Sequence, residues 1–187
     1  MAFLGIAIGT AAVTAMLHIG HNARNEALRQ FEKLGTELVA IRPQSDASDL
    51  LGIPIEAVSN LSNQGLGIRE ATPMILTGAA IQTGHEMGDA TVIACDGQLY
   101  PVAKLRMSKG RFISRFDGVQ SFAVLGAVVA ENISRISGRR IELGDSVALN
   151  GGMFSIVGIL EPIQTNQLLG VDFDRAVMIP IKSARRV

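Results

Sequence analysis

Charge is missing from the start of this chain. Residues 1–23 contain no Lys, Arg, Asp or Glu, so every charged residue lies from Arg24 onward. Beyond that point neither sign prevails: 17 basic residues face 17 acidic ones, which leaves no net field to gather nucleic acid or anionic lipid. Tryptophan is absent and no basic run is interleaved with aromatics, so a base-stacking platform is excluded. Cys95 is the single cysteine, which rules out an internal disulfide and a multi-cysteine metal site, and is compatible with either side of a bacterial membrane. GxxxxGK[ST], GxSxG and GxGxxG do not occur, so the chain carries no P-loop ATPase, nucleophile elbow or dinucleotide fingerprint.

What stands in place of the missing charge is an apolar run. Residues 3–19 are apolar or small almost throughout and would span roughly 26 Å as a helix, slightly short of the roughly 30 Å of a bilayer's hydrocarbon. Three readings stay open. A secretory signal peptide needs a basic leader and a small-residue cleavage site, and nothing basic precedes this run. A buried core helix suits the dilution by Gly5, Gly9 and Gly20. A transmembrane helix lacking its first turns suits the same glycines, because Gly5-Ile6-Ala7-Ile8-Gly9 is a GxxxG packing motif. The third reading gives the expected organisation: residues 1–22 as the C-terminal part of a transmembrane helix, and 23–187 as a water-facing domain.

The helical pattern continues without a break. Ala27, Leu28, Phe31 and Leu34 fall at helical spacing among charged neighbours, and Gly35 suits a left-handed terminus, so one helix is expected from Phe3 to about Leu34. A strand is expected over 37–42, a mobile loop over 44–51, and a short helix after Pro54 with Ile55, Val58 and Leu61 on one face. The period then falls towards two. Strands are expected over 74–82 and 91–95 around a turn at 84–88, with a short helix over 96–104. A buried strand over Phe122–Leu125 precedes a helix over 126–136 that turns Val128, Val129, Ile133 and Ile136 inward. Asn150-Gly151 between the alternating runs 147–149 and 153–160 is the strongest hairpin signal. A strand over 176–181 follows. The fold class is therefore α+β: a long N-terminal helix, transmembrane to amphipathic, followed by a mixed, mainly antiparallel α/β domain of two small lobes.

Two strings resemble the signature pair of class I aminoacyl-tRNA synthetases: HIGH at His18-Ile19-Gly20-His21, and Arg106-Met107-Ser108-Lys109-Gly110 against KMSKS. That chemistry needs HIGH just after the first strand of a nucleotide-binding sheet. Here HIGH sits in a long helical pattern, where His18 and His21 suit a membrane–water interface. The two histidines are spaced i,i+3, half a metal site, with no acidic or cysteine ligand nearby in sequence and His85 on an expected turn. Glu86 with Asp89, and Asp172 with Asp174, are paired acids in glycine-containing loops without a candidate nucleophile, and read as solvated charge. No catalytic, cofactor-binding or metal-binding residue is assigned, and no cofactor is expected.

Read in order, six segments resemble the extracytoplasmic core domain of MacB-type ABC transporter permeases, relatives of FtsX and LolC/LolE. Residues 4–13 look like the end of that family's first transmembrane helix, and Lys33-Leu34-Gly35-Thr36-Glu37-Leu38-Val39 resembles its SLGTNLL entry to the first strand. LRMSKGRFISRFD (105–117) resembles L..GRFFT..D, and Val124-Leu125-Gly126 with Val129-Ala130-Glu131-Asn132 resembles VLG..VAE. LGDSVALNGGMFSIVGILEP (143–162) and Val177–Ile181 resemble the family's last strands here. Ile133-Ser134 in place of Leu-Phe, Gly138-Arg139-Arg140 in place of Pro-Ile-Gly, and VIACDGQLY without Gly-Thr mark a divergent branch.

The resemblance implies a non-catalytic domain on the outer side of the bacterial cytoplasmic membrane, relaying ATP-driven movement to export or release of a lipoprotein, peptide or drug. Implied partners are a cytoplasmic ABC ATPase subunit or domain, a second permease copy, a periplasmic adaptor and the membrane, with no nucleic acid. It also implies further strands after 176–181, which would leave that strand with an unpaired edge and the chain truncated at both ends. The competing functions are a stand-alone membrane-anchored binding or scaffold domain and a HIGH-motif nucleotidyltransferase.

Overall fold

A computed structural model describes residues 2–33, 38–42, 53–61, 64, 67–83, 86–163 and 170–187. Met1–Ala40 form one compact unit and Ile41–Val187 another. The first is built on helix α1, Ala2–Lys33, 32 residues long. It has no proline to interrupt it, and its described side chains from Phe3 to Glu26 are exposed. Among the described residues no helix is long and apolar enough to cross a membrane. The glycines, Thr10, Thr14 and the histidines dilute an apolar run that was already short. His18 and His21 both lie within α1, so HIGH does not close a sheet.

In the second unit, helix α2 (Ile55–Leu61) begins just after Pro54, whose carbonyl oxygen accepts the Ala57 N–H at 3.0 Å. Strands β1 (Met74–Thr83) and β2 (Glu86–Cys95) form a ten-pair antiparallel hairpin. A one-turn helix α3 (Leu99–Val102) leads to β3 (Met107–Gly110). Then come β4 (Phe122–Leu125), α4 (Ala127–Ser137), β5 (Ser146–Leu149), β6 (Gly152–Leu160) and β7 (Ala176–Pro180). The strands lie in the order β3-β6-β4-β7-β2-β1-β5, and β5 also pairs with β6, so the ladder closes on itself. Only β2–β7 and β4–β6 are parallel, so the pairing is mixed and mainly antiparallel.

Sequence explains this placement strand by strand. β6 buries Phe154, Ile156 and Leu160, the two-residue period of a half-buried strand. β7 is buried at all five positions, hence on both faces of the sheet, and such strands read as continuous apolar runs. The core gathers Val92, Leu125, Val147, Leu149, Phe154, Ile156, Val177 and Ile179, with Val129, Ala130 and Ile133 of α4 packed onto it. Asn150 and Gly151 take φ of 47° and 86°, the left-handed pair that joins β5 to β6.

Several expectations are corrected. Among the described residues, 38–42 form no strand and no strand pairs with them; Leu38 is only partly buried and Ala40 is exposed. The turn expected at 84–88 is shorter, since β2 already starts at Glu86 opposite Thr83. Ile136 points outward and Ala130 takes its place on the inner face of α4. The unpaired edge expected for 176–181 does not exist, because β7 lies mid-sheet. All seven strands share one sheet. The mobile loop at 44–51 and the capping Gly35 lie outside the described residues.

Candidate functional site

The most constrained polar cluster lies at the exit of β3. Gly110 there has φ of +72°, and a Cβ would collide with the Val157 carbonyl oxygen, so the strand can approach β6 only at glycine. The chain then bends, and Arg111 lays both terminal nitrogens on the two oxygens of Asp117, each at 2.8 Å. Asp117 is 7% exposed and also accepts the Ser114 N–H at 2.7 Å. The guanidinium sits 5.4 Å from the centre of the Phe122 ring. Hydrogen bonds from Arg111 hold the Asp117 carboxyl below the ordinary carboxylate range, and the same bonds raise the guanidinium further. The Arg111–Asp117 clamp fastens the turn after β3 to the body of the sheet.

A second polar surface lies between β3 and α4. An open groove of about 670 Å³ is lined by Ser108, Lys109, Glu131, Arg135, Arg139 and Arg140, among others. Its charge is partly spent: Arg139 donates to both oxygens of Asp145 at 2.8 and 3.1 Å. Cations at the C-terminus of α4 also suit the helix dipole without any ligand.

The residues singled out in the sequence do not assemble. His18 and His21 lie exposed on α1, in the other unit from Lys109. Arg106-Met107-Ser108-Lys109-Gly110 runs into β3 and pairs with β6, rather than forming a loop over phosphates. Glu86 and Asp89 lie in β2, and His85 is outside the described residues. Asp172 caps the 3-10 turn Phe173–Arg175 by accepting the Asp174 N–H, and Asp174 accepts the Ile163 N–H with both oxygens at 3.1 Å. Burial pushes the Asp174 carboxyl up, with the Asp172 charge adding to it. Cys95 is fully buried, and desolvation drives its thiol above the ordinary range, so it is poorly nucleophilic. Among the described residues no three His, Cys, Asp or Glu side chains gather as a metal site. Sequence reasoning missed the Arg111–Asp117 pair, although GRF with an Asp six positions after the Arg stood in one of the matched strings.

These features define an α+β domain whose most constrained side chains brace backbone. The profile of the MacB-like periplasmic core domain family matches residues 1–187, and the chain belongs to that family of extracytoplasmic domains. It is 30% identical over 188 residues to a macrolide export ATP-binding/permease protein, MacB, of Hyphomonas neptunium, covering 97% of this chain and 28% of the relative. The MacB protein of Wolinella succinogenes is 27% identical over 190 residues, again covering 96% and 28%. The chain thus spans little more than a quarter of the length of the curated relatives it matches. In fold it is similar to the periplasmic region of MacB from Actinobacillus actinomycetemcomitans (TM-score 0.55, 20% identity, 69% of this chain and 55% of that one). The extracellular domain of the transporter YknZ from Gram-positive bacteria is similar too (TM-score 0.56, 17% identity, 71% and 66%).

Proposed function

We propose that this chain is the outer, non-catalytic part of an ABC transporter permease, and that α1 carries movement between the bacterial cytoplasmic membrane and the sheet domain. The observation behind this reading is the make-up of α1. One helix of 32 residues, about 48 Å long, joins a charge-free first part to a charged second part. Residues 1–22 are the membrane-embedded part of α1 in this reading. Two details suit that environment. Thr10 donates to the carbonyl oxygens of Ile6 and Ala7, and Thr14 donates to that of Thr10, so each hydroxyl is satisfied within its own helix. His18 and His21 then mark the water boundary.

In this reading ATP is hydrolysed on a cytoplasmic ABC subunit or domain, as the ATP-binding/permease names of the relatives suggest. A second permease copy completes the membrane part, and a periplasmic adaptor passes on a peptide, lipoprotein or drug. The sheet domain serves as a stiff body moved by the helix, which its closed ladder and clamped turns suit.

Cysteine scanning tests the membrane placement, because buried Cys95 leaves the background unreactive. Cysteines introduced for Ile6 and Val13 should be shielded from a water-soluble maleimide in membranes, while one for Glu26 reacts. Equal labelling at all three sites would refute the anchor.

A further inference from the structure

The turn after β3 displays apolar side chains that it has no need to bury. Phe116 is 83% exposed and Val119 57%, in a chain with few aromatics. Exposure here does not mean looseness. Asp117 donates its N–H to the Ser114 carbonyl at 3.0 Å, and its own carbonyl accepts the Gln120 N–H at 2.8 Å, giving two successive turns. Phe116 N–H reaches the Ser114 hydroxyl, and the clamp to Arg111 fixes the whole segment. Behind it, Gly97 packs so closely that a Cβ there would lie 3.0 Å from the Ile113 carbonyl oxygen. A rigid turn holding an exposed ring binds with little ordering cost.

The surroundings carry an excess of positive charge. The Arg115 guanidinium lies 4.9 Å from the centre of the Phe116 ring. The last 3-10 turn, Ile181–Arg186, is fastened alongside: Ser183 donates to the Gln120 carbonyl at 2.9 Å, and Arg186 donates to the Ser121 hydroxyl. Together, 111–121 and 181–187 hold Arg111, Arg115, Lys182, Arg185 and Arg186 against one acid, Asp117, in a chain neutral overall. Arg111 remains half exposed although paired, and Lys182, Arg185 and Arg186 are exposed.

We propose that this surface docks an acidic segment of a partner protein that also offers an apolar side chain to Phe116 and Val119. An aromatic ring with arginines around it is the composition of an interface hot spot, and the cationic rim selects carboxylates and speeds encounter. With Arg111 already closed on Asp117, Arg115, Arg185 and Arg186 remain, and their planar forks match carboxylate pairs better than a lysine ammonium does. A single ring on a tight turn offers little area for insertion into lipid, which makes a protein the better occupant.

Fluorescence anisotropy with the purified 187-residue chain in detergent tests this. The probes are a synthetic Glu/Asp-rich peptide carrying one Phe, its Gln/Asn counterpart, and phosphatidylglycerol vesicles. The acidic peptide should bind, and both Phe116→Ala and the pair Arg115→Glu/Arg186→Glu should weaken it about tenfold or more. Raised salt should weaken it too. Arg139→Glu, in the groove beside α4, should leave binding unchanged, and unaltered thermal melts establish that the variants fold. Equal binding of the neutral peptide, indifference to Phe116→Ala, or no binding would overturn the proposal. So would Phe116-dependent binding to vesicles, or Phe116-dependent self-association. Shielding of a cysteine placed at Val119 in the full-length gene product alone would also overturn it, because another part of the same protein would then cover the surface.

Discussion

Replacing Asp117 tests whether the Arg111 clamp supports the fold. The carboxylate is nearly buried and accepts three hydrogen bonds, two from Arg111 and one from Ser114 N–H. Asp117→Ala deletes all three acceptors and leaves the Ser114 amide with no acceptor at that site. A fully buried pair broken this way costs about 3–5 kcal/mol, and a solvent-exposed one about 0–1. The Arg111 side chain is 50% exposed and can recover hydration, so the expected loss lies between, at about 2–3 kcal/mol. For a domain of this size that lowers Tm by about 4–12 °C. Asp117→Asn keeps the shape and one acceptor, so it should lose about half as much. The pH dependence gives an independent check. The folded carboxyl is held below its unfolded value of about 3.9, so its contribution is complete above that pH and disappears as pH falls through the folded value. Wild type and Asp117→Ala should therefore differ in urea midpoint at pH 7, and the gap should begin to close only as pH falls below about 4 and vanish below the lowered folded value. A loss under about 1 kcal/mol at pH 7, or a gap that persists in acid, would refute the clamp. So would a double-mutant coupling with Arg111→Ala near zero.

Gly126→Ala should be far more damaging than any α1 glycine change, because a Cβ at Gly126 would run into the carbonyl oxygens of Phe173 and Asp174. Soluble yield and thermal melts should show loss of the folded state, whereas Gly20→Ala, with open space around it, should be neutral or slightly stabilising. Leu28→Pro, inside α1, should abolish transport by the assembled permease, since an interior proline costs roughly 3 kcal/mol and kinks the helix. His18→Ala and His21→Ala should leave transport nearly intact, and equal loss in all three would argue for chemistry at the histidines. Deleting residues 1–22 should raise the soluble fraction seen by size-exclusion chromatography without fully restoring a monomer, because it removes the exposed Phe3, Ile6, Ile8, Val13, Met16, Leu17 and Ile19.

Local pattern made much of the fold legible. The Asn150-Gly151 hairpin, the β4–α4 passage and the short helix after Pro54 each follow from signals within a dozen residues. The errors came where partners are distant in sequence. A strand over 37–42 is plausible from a core face on Leu38 and Ala40, but alternation makes a strand only if a neighbour supplies hydrogen bonds, and no described strand pairs with 38–42. β3 was hidden because Ser108, Lys109 and Gly110 are exposed, and only pairing with β6 makes them a strand. The helical setting that argued against chemistry at HIGH is the one the structure has. HIGH and RMSKG were legible as strings, yet the histidines lie on a helix and the lysine on an edge strand. The clamp was present in one of the matched strings, but sequence spacing cannot show that a salt bridge closes across a turn.

The correction at β7 bears on what the family resemblance means. Expecting missing strands, the sequence reading placed 176–181 at an open edge. Instead Val177 lies opposite Val92 on one side and Leu125 on the other. The closing pair β5–β6 then leaves β3 as the strand with a free side, and β3 is short and carries Lys109, which discourages edge-to-edge pairing. The best-matched strings fall on these constraints. GRF..D holds Gly110 and the clamp, VLG holds the cramped Gly126, and the 143–162 string holds the hairpin and the β6 alternation. They hold backbone in place, and the role proposed above, a domain moved by α1, calls for such a braced body rather than a reactive side chain.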